Sequence, residues 1–406
     1  MTKLLFLLCV LSLSTFAAET SIEGNIEVQG RHSWNNDEAQ SLPFPITQDW
    51  NEADSYLMVG NLNPKLELEN SRFEANWFLR HSVSELYRDS YLAPRIFTFP
   101  NKLVARDLFK LQYRHDGADS QTDSVINKLY YEWSLAQHRV SLGRIFINYG
   151  TGEIFNPINP FNQPTGLTSI NNVAQGNDGA QIKFFLNDKH TLDFIVLGDK
   201  SLEKYEGHID RTLWIHGELQ ASGELQIDYV GGQDQKRNKI GGQLSYTFTE
   251  AMVFFQTLYQ SSYFEDDFQD SHSLLDMMLG YDEQLTAKWH LRLEAGYQKK
   301  NEVFIFNPNS IGDRFLPVEY FIALANQYEI HPLVKIGGTV ISDFTTGFTY
   351  FIARSTFSLG SNIEADIFAF TPLAKGKTDN SSRNQANNLA QKFVTQDLGV
   401  ALRAFF

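Results

Sequence analysis

The sequence predicts an all-β protein, a transmembrane antiparallel up-and-down β-barrel of about 18 strands, with 16 and 20 also compatible. Three observations lead there. Apolar and polar residues alternate along most of the chain, an apolar run stands at its N-terminus, and the alternation continues to a terminal Phe406. A period of two means strands, whose successive side chains face opposite sides.

The N-terminal element comes first. Met1-Thr2-Lys3 carries one positive charge and leads into the apolar run Leu4 to Leu13, with small residues Thr15 and Ala17 before Ala18. This layout predicts a secretory signal peptide over 1–17 and a barrel over 18–406, because the run is too short to cross a membrane as a helix. Cys9, the only cysteine, lies inside that signal, so the exported part would hold no disulfide. Another source of stability is then required.

The strands follow. In Ser21 to Trp34, Ile22, Gly24, Ile26, Val28 and Gly30 oppose Glu23, Asn25, Glu27, Gln29 and Arg31. In Arg72 to Val83, Phe73, Ala75, Trp77, Leu79 and Val83 oppose Arg72, Glu74, Asn76 and Arg80. Trp289, Leu291, Leu293, Ala295 and Tyr297 alternate with His290, Arg292, Glu294, Gly296 and Gln298. Comparable stretches lie near 55–68, 105–115, 125–135, 182–198, 213–219, 225–231, 240–261, 275–281, 320–342 and 348–369.

A β-sandwich or a propeller would also alternate, but with shorter strands and, for a propeller, a repeated blade motif that this chain lacks. Trp289 and Tyr297 stand eight residues apart. At about 3.3 Å per residue that is about 26 Å along the strand. A tilt of about 40° turns it into about 20 Å of height, close to the apolar band between the aromatic girdles of a membrane barrel. The apolar face would meet outer-membrane lipid and lipopolysaccharide, and the charged face would line a polar interior. Closure leaves no open edge, as lipid demands.

The end of the chain agrees. Leu398, Val400, Leu402, Ala404 and Phe406 alternate with Gly399, Ala401 and Arg403. This ending resembles the C-terminal insertion signal of bacterial outer-membrane β-barrels, which implies recognition of Phe406 by barrel-assembly machinery. With that end periplasmic, short turns at Gly360-Ser361-Asn362, Ile330-His331-Pro332, Thr249-Glu250, Ser222-Gly223, Asn187-Asp188 and Ala136-Gln137 fall on one side. The longer segments 372–393, 301–316, 262–272, 199–210 and 150–178 fall on the other, as short periplasmic turns and long external loops require. Counting gives about nineteen strands where the number should be even. Either Leu92 to Phe99 adds a short strand or one early segment is not part of the wall.

The candidate site is the longest external loop. "GRIFINYGTGEIFNPINPF" begins as a strand at Gly143 and turns into an Asn/Pro run whose Pro157 and Pro160 suit neither helix nor central strand. Folded inward, the loop would narrow the pore. Glu153 would add charge, Asn156, Asn159 and Asn162 would offer neutral donors and acceptors, and Phe155 and Phe161 flat apolar contact. The same stretch resembles the Gly-Arg strand and Gly-x-Gly, Asn-Pro loop of porin-like and exopolysaccharide-export-type outer-membrane barrels, which implies transport across that membrane. Phase places Arg72, Glu74, Arg80, Lys110, Arg114, Lys128, Glu132, Arg144, Arg292, Glu294 and Lys335 in the lumen. Basic residues outnumber acidic ones in this set, which suggests a weak preference for anions.

Other functions are argued against. A net charge of −14 disfavours nucleic acid as a partner. No Gly-x-Ser-x-Gly elbow, His-Glu-x-x-His helix or Cys/His metal spacing is present, so neither catalysis nor a cofactor is expected. The acidic run Glu265, Asp266, Asp267 and Asp270 lacks the Gly turn and terminal Glu of a calcium loop. Alternation from Ser21 leaves no room for a plug domain. The expected function is a porin-like channel for passive passage of small polar solutes, narrowed by the 150–178 loop. The alternatives are a structural or surface-interaction barrel with a closed lumen, or a polysaccharide-export conduit.

Overall fold

Strand pairing closes on itself. A computed structural model describes residues 19–34, 52–84, 104–106, 108–109, 111–117, 120–161, 176–200, 209–234, 237–261, 274–298, 320–344, 349–374 and 396–406. The signal peptide over 1–17, the stretch Leu92 to Phe99, Lys110, Asn162 and the acidic run at 265–270 lie outside the described residues.

The strands are β1 (Glu19–Trp34), β2 (Glu52–Leu68), β3 (Ser71–Ser84), β4 (Val104–Arg106), β5 (Gln112–Asp116), β6 (Ser120–Leu135) and β7 (His138–Phe146). They continue with β8 (Gly176–Asn187), β9 (His190–Lys200), β10 (Ile209–Gln220), β11 (Leu225–Asp234), β12 (Arg237–Phe248), β13 (Ala251–Gln260) and β14 (Leu274–Thr286). The last are β15 (Trp289–Gln298), β16 (Tyr320–His331), β17 (Val334–Asp343), β18 (Thr349–Gly360), β19 (Ile363–Ala374) and β20 (Gln396–Phe405). Each wall strand is antiparallel to the next, β3 pairs with β6, and β20 returns to β1. The wall is a closed antiparallel barrel of 18 strands.

The odd count now has its cause. The 105–115 stretch is not a wall strand but the two short pieces β4 and β5. Strand β3 occupies one edge of β6 throughout, while the other edge is shared by β7 at 129–135 and β5 at 121–125. Strand β4 pairs in parallel with the first residues of β8.

The alternation decides which face is which. Val28, Met58, Leu213, Phe255, Leu279 and Leu324 point outward and remain exposed, whereas Glu27, Trp214, Gln256, Met278 and Glu294 point inward and are buried. A belt of exposed apolar side chains around a polar-lined closed sheet is the surface of a protein in lipid. Predicted turns at 136–137, 222–223, 249–250 and 361–362 lie at one end, with further turns at Glu69-Asn70 and Ala287-Lys288.

A bulge in β6 breaks strict alternation. Asn76 opposes Lys128 and Trp77 opposes Ile126, so Asn127 is the extra residue. It lets both Val125 and Lys128 face inward, and with them Asp123, which simple phase counting from Lys128 puts outside.

Candidate functional site

Strand β7 is only nine residues long. After Phe146 the chain leaves the wall and enters the barrel, where Ile147, Tyr149, Phe155, Ile158 and Phe161 are all buried. Ile147, Tyr149, Ile158 and Phe161 pack with the inward-facing Ile195, Leu197, Trp214, Val230 and Leu258. The Phe161 ring meets Trp214 edge-on at 5.4 Å, and Phe155 meets Phe321 at 5.9 Å beside Phe254 and Met278. Each such burial contributes about 1.5–3 kcal/mol. The segment Ile147–Phe161 is therefore held against the inner wall from β9 to β16.

Its far end is pinned by charge. The Glu294 carboxylate accepts the backbone N–H groups of Glu153, Ile154 and Phe155 at 2.8, 3.0 and 3.2 Å. Arg292 donates to Glu294 at 2.8 Å and to Asp282 at 2.6 Å, and also reaches the Thr151 carbonyl. Thr151 donates through its N–H and its hydroxyl to Gln243, each at 3.1 Å. Several charge-assisted bonds thus converge on one turn, and such bonds are about twice as strong as neutral ones.

Between this segment and β8–β12 lies a cavity of about 250 Å³, with Lys183, Asp193, His216, Glu218 and Asp228 in its walls. The His216 ring stacks on Tyr149 at 3.9 Å, and its Nδ1 lies 3.3 Å from Asp193. Lys183 stands 3.9 Å from the same carboxylate.

The predicted residues fall into three groups. Arg72, Lys128 and Glu132 belong to one network with Glu74 and Tyr130. Lys128 donates to Glu74 at 3.0 Å, Arg72 to the Tyr130 hydroxyl at 2.9 Å, and Arg72 lies 3.4 Å from Glu132. Arg80 donates to Asp123 at 3.0 Å, and Arg114 of β5 donates to the same carboxylate at 2.6 Å. Arg80 is buried in that cluster, while Arg72, Arg114 and Lys128 stay partly exposed.

The loop residues divide differently. Glu153 is exposed and 3.2 Å from Arg292. Asn156 and Asn159 are buried. Asn156 donates to the Tyr149 carbonyl at 2.6 Å and Asn159 to Asn148 at 2.8 Å, so their amides brace the segment itself. Phe155 and Phe161 likewise pack into the wall and do not present flat faces to open space.

Arg144 is the clearest departure. It was expected in the lumen, yet on the ladder it falls on the outward face with Leu142 and is wholly buried against Asp178. The basic excess is a further correction. The inward faces also carry Glu27, Asp123, Asp193, Glu218, Asp228, Asp276, Asp282 and Asp366, none of which belongs to the set of lumen charges read from the sequence. Lining charge therefore gives no ground for anion preference. On β9 the inward-facing Ile195 and Leu197 beside Asp193 are apolar because the segment covers them, which erases the polar phase of that strand.

No protein-family model matches the chain, and no curated protein matches it. Solved structures do. OccAB4 of Acinetobacter baumannii superimposes with a TM-score of 0.57 at 9% identity, over 96% of this chain and 98% of that one. OccK7 (OpdD) of Pseudomonas aeruginosa gives 0.54 at 9% identity, over 96% and 99%. OpdQ of the same organism gives 0.54 at 10% identity, over 96% and 97%. These neighbours are outer-membrane channels of Gram-negative bacteria. At such identity the likeness establishes a shared fold.

Proposed function

We propose that this barrel, which has the fold of outer-membrane channels, is a channel for passive diffusion of small polar solutes, narrowed by the segment that begins at Ile147. The observation that carries this reading is the pinning of the segment inside the barrel by Glu294 and Arg292. A surface lid has no need of a buried acceptor for three of its amides. Of the charges named above, Arg72, Arg114, Lys128, Glu132 and Glu153 are the lining that a solute meets, together with Lys183 and Glu218 at the cavity. Charges of both signs there replace part of the hydration shell of a polar solute.

Two partners belong to the same reading. The outward apolar belt takes lipid. Phe406 exchanges backbone hydrogen bonds with Gly24 at 2.9 and 3.0 Å while its ring stays exposed, which leaves it available to assembly machinery before closure.

Single-channel recording in planar bilayers tests the function. Purified, folded protein is expected to give discrete ionic currents, and removal of residues 152–160 is expected to raise the unit conductance. Silence from folded protein would favour a barrel with a closed lumen. An unchanged conductance after the deletion would remove the narrowing role while leaving the channel.

A further inference from the structure

A strand can leave the wall of a membrane barrel only if the backbone groups it abandons find other partners, because lipid offers none. Strand β7 leaves β6 after Arg144 opposes Leu129. Beyond that point, the backbone groups on the same edge of β6 include those of Ile126. Its N–H donates to the Leu111 carbonyl at 3.0 Å, in the stretch leading to β5. Its carbonyl accepts from the Arg144 guanidinium at 2.8 Å.

The same guanidinium makes a two-pronged contact with Asp178 of β8, at 2.6 and 2.8 Å. Asp178 in turn accepts the N–H groups of Leu108 and Phe109, at 2.7 and 2.9 Å. One buried ion pair thus joins β6, β7, β8 and the returning stretch at 108–109. The local chain is shaped for it. Gly143 takes a φ of +123°, and any side chain at Gly176 would meet the Arg144 stem and the Asn127 carbonyl.

We infer that Arg144 and Asp178 are the positioning pair of the constriction: they close the wall where β7 departs and so direct Ile147–Phe161 into the lumen. This rests on the reading that the segment narrows the pore. Arg144 acts through the backbone, and its charge is spent on Asp178 and is not presented to solutes.

The test follows the segment directly. Cys9 is the only native cysteine, so Ile158→Cys in a chain lacking it provides a single buried thiol. Its reaction with a small water-soluble maleimide is expected to be slow, and Asp178→Asn is expected to speed it about tenfold by loosening the segment. If Asp178→Asn prevents folding, the uncharged pair Arg144→Met with Asp178→Leu decides instead. It restores packing but leaves the Ile126 carbonyl without its donor, and fast labelling is again expected.

Labelling as slow as in the unsubstituted background, in whichever variant folds, would overturn the proposal. In bilayers, Asp178→Asn is expected to raise conductance and open-channel noise at an unchanged reversal potential. A shifted reversal potential at unchanged conductance would place Arg144 in the permeation path and also overturn it. Labelling does not depend on conduction, so fast labelling with unchanged conductance in both Asp178→Asn and the 152–160 deletion would remove the constriction reading and leave the positioning pair.

Discussion

Glu294 sits on an inward face where water is the usual neighbour, yet it is fully buried, because three amides of the inserted turn and Arg292 surround it. Replacing it by alanine leaves those donors without an acceptor, and breaking a buried charged cluster this way costs about 3–5 kcal/mol. Hydrogen exchange at the amides of 153–155 should then accelerate by about a hundredfold or more. Glu294→Gln keeps one of the two acceptor oxygens and should lose less. Equal rates in both variants and the native protein would mean that the turn is held by packing alone. At this scale the sequence was informative about residue type and only partly about role. Arg72, Lys128, Glu132 and Arg80 lie on the inward face that phase assigned. Arg144 instead shares the outward face of Leu142 in the β7 ladder, and Asp123 is brought inward because Asn127 adds a residue.

At the scale of elements, closure of the barrel depends on one seam. Arg403 of β20 donates to Glu27 of β1 at 2.8 Å and to Glu364 and Asp366 of β19 at 3.2 and 3.3 Å. Asp366 is also held by Arg354 of β18 at 2.7 Å. Arg403→Met leaves the buried Glu27 without its cation, at a cost of about 3–5 kcal/mol. The temperature at which the folded band converts to the unfolded one on semi-native gels should fall. An unchanged transition would assign the seam's strength to backbone pairing. A smaller probe lies beside it. A side chain at Gly24 would meet the Phe406 ring, so Gly24→Val should lower the folded yield. The alternating elements were legible because each has one face in lipid and one toward the interior. The 105–115 stretch misled because short paired pieces alternate as wall strands do, and nothing local distinguishes five paired residues from twelve.

The whole molecule is a closed sheet between two environments, and its outward belt has to stay apolar. Leu279 lies mid-strand on β14 opposite Phe255, exposed on that face. Leu279→Arg should destabilise the barrel by about 2–4 kcal/mol if it lies at the bilayer midplane. Urea titration of protein folded into lipid vesicles reads the change, and an unmoved midpoint would take this face out of the hydrocarbon. What the sequence determined by itself is the membrane barrel: period-two alternation along most of the chain and short turns sorted to one end. These are local consequences of the two-faced strand, and each stretch of chain carries them. Tertiary structure alone decided the strand number, the path of Ile147–Phe161 through the interior and the partner of every inward charge. Those depend on which strands meet across the sheet and on where β7 gives up its edge of β6. Residues far apart in the chain, such as Glu153 and Glu294, become neighbours only when the sheet closes.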